Sequence, residues 1–340
     1  MLATLLERHS FALHGVCAAE PADHPDAFRA WLDAGRHGEM QYLAEHADLR
    51  LDVRAFLPDA RSVIVVADSY GGTDPGDAPP RPGRVARYAW GRDYHKTLKR
   101  RLHRVSDALR DAHPEHTFRA TVDTAPIMER EHASRAGLGF TGKHTLLIHP
   151  RHGSFLLLGA IVTTLALEPT PRPRLSRPQC GHCTRCIGAC PTDAIDPAGH
   201  ALDATRCISY LTLEHRSAID PDLHAGMGDW IAGCDICQDV CPFNAAGQRH
   251  PLPVLLDHRP RGHAPALDLR DVLGWDENDR FNAVSGTPLM RIKLWMWKRN
   301  ALIAAGNAGL PGDLREAAEA CLDDPHPVVR ETARVVLDRA

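Results

Sequence analysis

The sequence lacks a charge bias: 40 Lys and Arg against 43 Asp and Glu give a formal net charge of −3. No global field draws the chain to nucleic acid, so any nucleic-acid site must be a local patch. It also lacks a membrane-length apolar run. The most apolar stretch, Phe155 to Leu167, is too short to span a bilayer and holds Thr163 and Thr164. It reads as a buried strand, and no membrane association is expected. The opening Met1-Leu-Ala-Thr-Leu-Leu-Glu-Arg8 has an early acid and no basic region before an apolar run, so no secretory leader is expected. These absences predict a cytoplasmic, reducing setting. There, clustered cysteines mean metal or catalysis rather than disulfides.

At 340 residues the chain is long for one core, and two or three domains are expected. Residues 1 to 60 read as mainly helical, because Leu2, Leu5 and Leu6, then Phe28, Trp31 and Leu32, recur at helical spacing. The β-branched run from Arg61 to Tyr70 predicts a buried strand, followed by a Pro/Gly/Asp-rich loop from Gly71 to Gly83. Asp93 to His113 has the pattern of an amphipathic helix, with Leu98, Leu102, Val105 and Leu109 on one face. Further strands are expected at Phe118 to Val122, Thr145 to His149 and Ser154 to Leu167. Pro126 favours the first turn of a helix running to Ala136. The first half is thus an α/β or α+β domain. Pro169 to Pro178 reads as a linker, and 246 to 265 as a Pro/His-rich connection. The last segment is helical, at Pro288 to Ala305 and Asp313 to Leu322. Asp324 to Leu337 resembles one helix of a HEAT-type repeat.

Eight of the ten cysteines lie between residues 179 and 245. Cys180-Gly-His-Cys183-Thr-Arg-Cys186-Ile-Gly-Ala-Cys190-Pro191 has the bacterial ferredoxin spacing. Two-residue gaps let three thiolates converge on one cluster face, while the fourth cysteine ligates the other cluster. The second run, Cys234-Asp-Ile-Cys237-Gln-Asp-Val-Cys241-Pro242, ends the same way but lacks a first cysteine, and Cys207 is the unassigned one nearby. The exchange rule assigns Cys180, Cys183, Cys186 and Cys241 to one 4Fe–4S cluster, and Cys190, Cys207, Cys234 and Cys237 to a second. Zinc closes on four ligands from paired C-x2-C units, and two runs ending in x3-Cys-Pro do not divide that way. Cys17 and Cys321 read as small buried hydrophobes. His182, inside the motif, reads as a hydrogen-bond donor to cluster sulfur.

A bare electron carrier would need far fewer residues, so the electrons should be used within the chain. Two segments of the first half look like a site: Val122-Asp-Thr-Ala-Pro-Ile-Met-Glu-Arg130, and Ala136-Gly-Leu-Gly-Phe-Thr-Gly-Lys-His-Thr145. Asp123 at a strand end could be a proton donor or, with Pro126 close behind, a helix N-cap. The pattern leaves both open.

Several motifs in order resemble the epoxyqueuosine reductases, cobalamin-dependent enzymes of tRNA modification. They are Tyr88-Ala-Trp-Gly-Arg-Asp-Tyr-His95, Val122-Asp-Thr-Ala-Pro126, Ala136-Gly-Leu-Gly139 with Gly142-Lys143, Cys207-Ile-Ser-Tyr-Leu-Thr212, and Gly233-Cys-Asp-Ile-Cys-Gln238 with Val240-Cys-Pro242. The resemblance implies an α+β fold in three parts. These are an N-terminal α/β cobalamin-binding domain over 1–168, a bacterial ferredoxin-like two-cluster domain over 169–250, and a HEAT-like helical segment over 251–340 that grips tRNA. It implies reduction of epoxyqueuosine at the tRNA wobble position, with electrons passing through two 4Fe–4S clusters to cobalamin. Asp123 would be the proton donor, its pKa raised by burial. Arg50, Ala86, Leu147, Ile148, His149, Leu158, Ser209, Cys234 and Asp235 would line the corrin. Arg291, Lys293, Lys298 and Arg299, interleaved with Trp295 and Trp297, would contact tRNA. The partners implied are the epoxyqueuosine-bearing anticodon stem-loop and an external reductant, with the chain itself a monomer. The alternative is another corrinoid iron–sulfur reductase acting on a small molecule. Two positions depart from the family, which usually has Trp at Phe140 and Asn at His144. The second would alter a hydrogen bond near the corrin.

Overall fold

The structure is a computed structural model that describes residues 2–72, 77–171 and 179–339. The strands among these residues are β1 (Leu13–Ala18), β2 (Ser62–Ser69), β3 (Pro82–Val85), β4 (Phe118–Thr121), β5 (Phe140–Thr141), β6 (Leu147–Ile148), β7 (Leu156–Thr163), β8 (Trp230–Ala232) and β9 (Ala266–Asp268). The main sheet has the order β1-β2-β7-β4 and is antiparallel throughout.

Strand β2 is buried at every position, which its β-branched run anticipates. Side chains alternate faces along a strand. Ile64 and Val66 therefore pack under the helix Tyr94–Ala112, against Leu98, Leu102 and Val105. Val63, Val65 and Ala67 face Ala133, Ala136 and Leu138 instead. The sheet is thus the middle of a three-layer sandwich, and its strand ends deliver the site residues.

Strand β1 departs from the helical reading of residues 1 to 60. Six residues gain their geometry from full pairing with β2, from Leu13 opposite Ala67 to Ala18 opposite Ser62. Such long-range pairing outweighs local helical spacing. The loop expected from Gly71 to Gly83 also ends early. Pro82 and Gly83 open β3, and Gly83 leaves room for Ile231 and Leu269, whose side chains a Cβ would meet at 2.7 Å or less. The part of that loop at 73–76, and the expected linker at 172–178, lie outside the described residues.

A second sheet, β8-β3-β9, pairs β3 of the first half with two strands from the last third of the chain. One apolar core likewise joins Val85 and Trp90 to Trp297, Leu302 and Val329. Breaks at 168 and 250 therefore do not separate the packing. The C-terminal helices Leu294–Asn307, Gly312–Ala320 and Pro327–Arg339 pack on each other.

Candidate active site and cysteine cavity

Beyond β4 the backbone turns left-handed at Asp123, with φ +52. Few side chains adopt that region, and aspartate is among those that do. The Asp123 amide donates to Glu129 Oε1 at 2.9 Å. The helix following Pro126 starts only at Glu129, with Met128 at its cap position. Asp123 is therefore no N-cap.

Its carboxylate Oδ2 lies 2.9 Å from His95 Nε2, and His95 Nδ1 lies 2.8 Å from Asp93 Oδ1. Asp93 also caps the helix that carries His95, accepting from the His95 amide. The imidazole is clamped between two carboxylates. Burial works against its charge, but the bonds to Asp123 and Asp93 outweigh burial and push His95 up to about 9. Burial also opposes ionisation of Asp123, yet the His95 bond and charge, with Arg291 behind, hold it below the ordinary carboxylate range. The expected rise of Asp123 turned on burial against a corrin; its protein neighbours alone act the other way and favour a proton on His95. The Asp123 side chain remains 48% exposed, so it is open to a ligand.

Glu129 behaves oppositely. Burial and the Asp123 charge push it up to about 8. Nearby, Arg50 has its Nε buried without a hydrogen-bond partner among the described residues, and its guanidinium stands 6.0 Å from the Tyr42 ring centroid. Arg291 pairs with Glu214, and its field reaches Tyr42, Tyr88 and Asp123.

The cysteines form two groups. Cys180, Cys183, Cys186 and Cys241 line one cavity together with His144, Ile148 and Phe243. The Lys143 amide donates to Cys180 Sγ at 3.4 Å. His144 is 4% exposed; its Nδ1 accepts the Leu146 amide at 3.2 Å, and its Nε2 is buried without a partner among the described residues. Burial holds this imidazole down at about 4. In the second group, burial first and then Cys207, Asp235 and Cys190 push the Cys234 thiol up. Burial, Cys234 and Cys207 do the same to Cys237, which also feels Cys186 of the first group. The amides of Tyr210 and Ser209 donate to Cys207. Asp235 accepts the Arg87 amide at 2.8 Å and is pushed up to about 6, mainly by burial. Among the described residues, no three His, Cys, Asp or Glu side chains converge on a single metal ion.

A family profile described as epoxyqueuosine reductase QueG, DUF1730, matches residues 50–124, the stretch from Arg50 through Asp123. A second, the 4Fe-4S double cluster binding domain, matches residues 179–244. The epoxyqueuosine reductase of Xanthomonas campestris is 38% identical over 333 residues, covering 96% of this chain and 92% of that protein. The chain belongs to the epoxyqueuosine reductase family. A crystal structure of an epoxyqueuosine reductase with an epoxyqueuosine-modified stem loop of tyrosine tRNA matches 99% of this chain and 89% of its own, with TM-score 0.86 and 27% identity. The Bacillus subtilis enzyme, solved with an aspartate-bearing catalytic loop swung out of the active site, matches with the same coverage, TM-score 0.86 and 28% identity. The fold is the mixed helix-and-sheet fold of this family and carries a 4Fe–4S double cluster domain.

The residues expected to line the corrin fall in several places. Arg50 lies beside Asp123 and Glu129. Ser209, Cys234 and Asp235 surround the second cysteine group, and Ala86 packs under Gly233. Leu147 and Leu158 pack with the core beneath the sheet. Ile148 faces the first cysteine cavity. His149 is occupied locally, its Nδ1 accepting the amides of Arg151 and His152. His144 also lies at the cysteine cavity rather than at Asp123. His182, expected to serve cluster sulfur, is exposed.

The basic stretch divides as well. Arg299 is fully buried, donating to the carbonyls of Leu211, His215 and Ser217 at 2.6 to 2.8 Å, so its assignment to tRNA contact is corrected. Successive residues of a helix face different ways, and this position points inward. Lys298 is engaged with Asp324 at 3.0 Å, and Trp297 is core. Trp295 stacks on His326, with centroids 4.3 Å apart. Arg291 and Lys293 remain exposed. The sequence reading gave no role to His95, although Asp93-Tyr-His95 spaces an N-cap carboxylate to meet its own helix's imidazole. Glu129 was missed because nothing local marks it as the partner of an amide six residues back.

Proposed function

We propose that this chain reduces epoxyqueuosine to queuosine at the wobble position of tRNA, with Asp123 and His95 as its proton-delivering pair. The observation that carries this reading is the Asp93–His95–Asp123 chain at the end of β4, in a member of this family. Converting the epoxide to an alkene takes two electrons and two protons and releases the oxygen as water. The oxygen must be protonated to leave, and a positioned acid serves that need. Asp123 is the open end of the pair and meets the oxygen. His95 holds the proton at neutral pH and resupplies Asp123 across their shared bond, while Asp93 fixes the imidazole. Glu129 keeps the turn that aims Asp123. In this reading the 122–128 loop is the counterpart of the mobile catalytic loop of the Bacillus subtilis relative.

Cys180, Cys183, Cys186 and Cys241 would hold one 4Fe–4S cluster, and Cys190, Cys207, Cys234 and Cys237 the other. A cavity lined by Cys180, Cys183, Cys186 and Cys241, at ferredoxin spacing, suits a four-iron cube better than zinc. Cobalamin is the second group the resemblance implies. The unpartnered Arg50 Nε and the open Asp123 carboxylate fit a polar ligand beside them, and Ser209 and Asp235 would contact it from the cluster side. When bound, cobalamin supplies the reducing electrons at the epoxide. Arg291 at the mouth and Lys293 beside it would meet the anticodon stem-loop. The enzyme works as a cytoplasmic monomer with an external reductant, and no described helix is long and apolar enough to cross a membrane.

Nucleoside analysis of tRNA from a strain lacking the gene tests the reading. Epoxyqueuosine accumulates if it is right and disappears on complementation with the wild type but not with Asp123→Asn. A deletion strain with normal queuosine overturns it.

A further inference from the structure

We propose that His144 donates a hydrogen bond from Nε2–H to a sulfur of the cluster held by Cys180, Cys183, Cys186 and Cys241, and so raises that cluster's reduction potential. The inference rests on the ligand assignment above and adds a residue that assignment does not contain.

The tautomer is fixed by the fold. The Leu146 amide donates to Nδ1 at 3.2 Å, so Nδ1 is an acceptor and the neutral ring carries its proton on Nε2. The turn enforces this. Gly142 N donates to Leu146 O at 2.9 Å, Thr145 N to Gly142 O at 2.9 Å, and Thr145 is left-handed at φ +69. With no Cβ at Gly142, the Ile148 side chain and the His144 ring close over the turn, at 2.4 and 3.1 Å from where that Cβ would stand.

The Nε2 end is then a buried donor with no protein acceptor among the described residues. Such groups carry a desolvation cost and are rarely left unmet. His144 lines the cavity beside the four cysteines; the other lining side chains, Ile148, Arg185, Pro242 and Phe243, carry no acceptor, so sulfur is the side-chain acceptor this cavity presents to it. The preceding Lys143 amide already donates to Cys180 Sγ, and successive residues thus deliver two donors to one site. A donor to cluster sulfur favours the more negative reduced state and raises the potential. Four cysteines complete the ligand set, so His144 is not needed as a ligand.

The test uses anaerobically purified holoenzyme and redox titration followed by electron paramagnetic resonance. Cys183→Ala first identifies which cluster signal belongs to this cavity. If that variant keeps both clusters, the ligand assignment fails, independently of the hydrogen bond. His144→Phe should keep full iron content and lower the potential of that cluster alone. His144→Asn, which restores a shorter donor, should lie between it and the wild type. With 15N-histidine, the wild-type reduced cluster should show a weak nitrogen coupling that is lost in His144→Phe. Unchanged potentials in an iron-replete His144→Phe overturn the proposal, as does a strong coupling that marks direct ligation. If His144→Phe does not assemble, the wild-type coupling decides, and its absence overturns the proposal.

Discussion

His95 and His144 occupy two regions of one molecule, and the fold pushes them in opposite directions. His95 sits between two carboxylates and rises to about 9, whereas His144 sits among thiols and apolar side chains and falls to about 4. The first is a cation at neutral pH and can release a proton. The second is neutral, with its remaining proton locked in place by the Leu146 amide. Burial alone does not separate them, since it opposes the charge of both. The difference lies in charged hydrogen-bond partners, which the polar end supplies and the sulfur end lacks.

The contrast breaks most visibly if either end is emptied. Cys241→Ala and Cys234→Ala should each lose one cluster, about half the iron, and all measurable turnover. Cys241→Ala should lose the same signal as Cys183→Ala despite lying 58 positions further along the chain. Loss of the other signal would refute the crossed pairing.

At the polar end, Asp123→Asn should reduce turnover by about 10²- to 10⁴-fold, the range for a positioned acid. It should also strip His95 of its main partner, moving the alkaline limb of the pH profile to lower pH. The sign for stability follows from the same shift. A histidine raised from 6.5 to about 9 on folding stabilises fully below 6.5 and loses that contribution as pH rises through 9. Urea unfolding between pH 6 and 10 should show this fall in the wild type and a weaker one in Asp123→Asn.

Glu129 gives a sharper and smaller test. Glu129→Ala removes the acceptor that holds the Asp123 amide, while Glu129→Gln keeps an oxygen in place. Amide exchange at Asp123 should accelerate at least tenfold in the first and little in the second, with turnover following the same order. Equal exchange in both would mean that the turn holds without this bond.

The smallest effects concern tRNA. Lys293→Ala should weaken tRNA binding modestly and reduce its salt slope by about one. Arg299→Leu should instead lower unfolding stability by about 3 kcal/mol, because three carbonyls lose their donor. A tRNA affinity that falls in a fully stable Arg299→Leu would contradict the buried placement.

The sequence showed most where the constraint is local. The β-branched run of β2, the leucine face of Tyr94–Ala112 and the spacing of the cysteine runs each depend on neighbours a few residues away. Less was visible where the constraint is long-range. Strand β1 owes its form to β2, and Arg299 its burial to carbonyls more than eighty positions earlier. Of the site, Asp123 was marked as a candidate, but its bond to His95 was not visible, because His95 comes from a different element. His144 stood out only as a departure from the family, and its place in the cysteine cavity needed the fold.

The most direct test is the single-turnover rate of epoxyqueuosine reduction as a function of pH. The account predicts a rate that holds through neutrality and falls with a midpoint near 9, a limb that His95→Phe abolishes. A midpoint at or below 6.5, or the same limb persisting in His95→Phe, would contradict it.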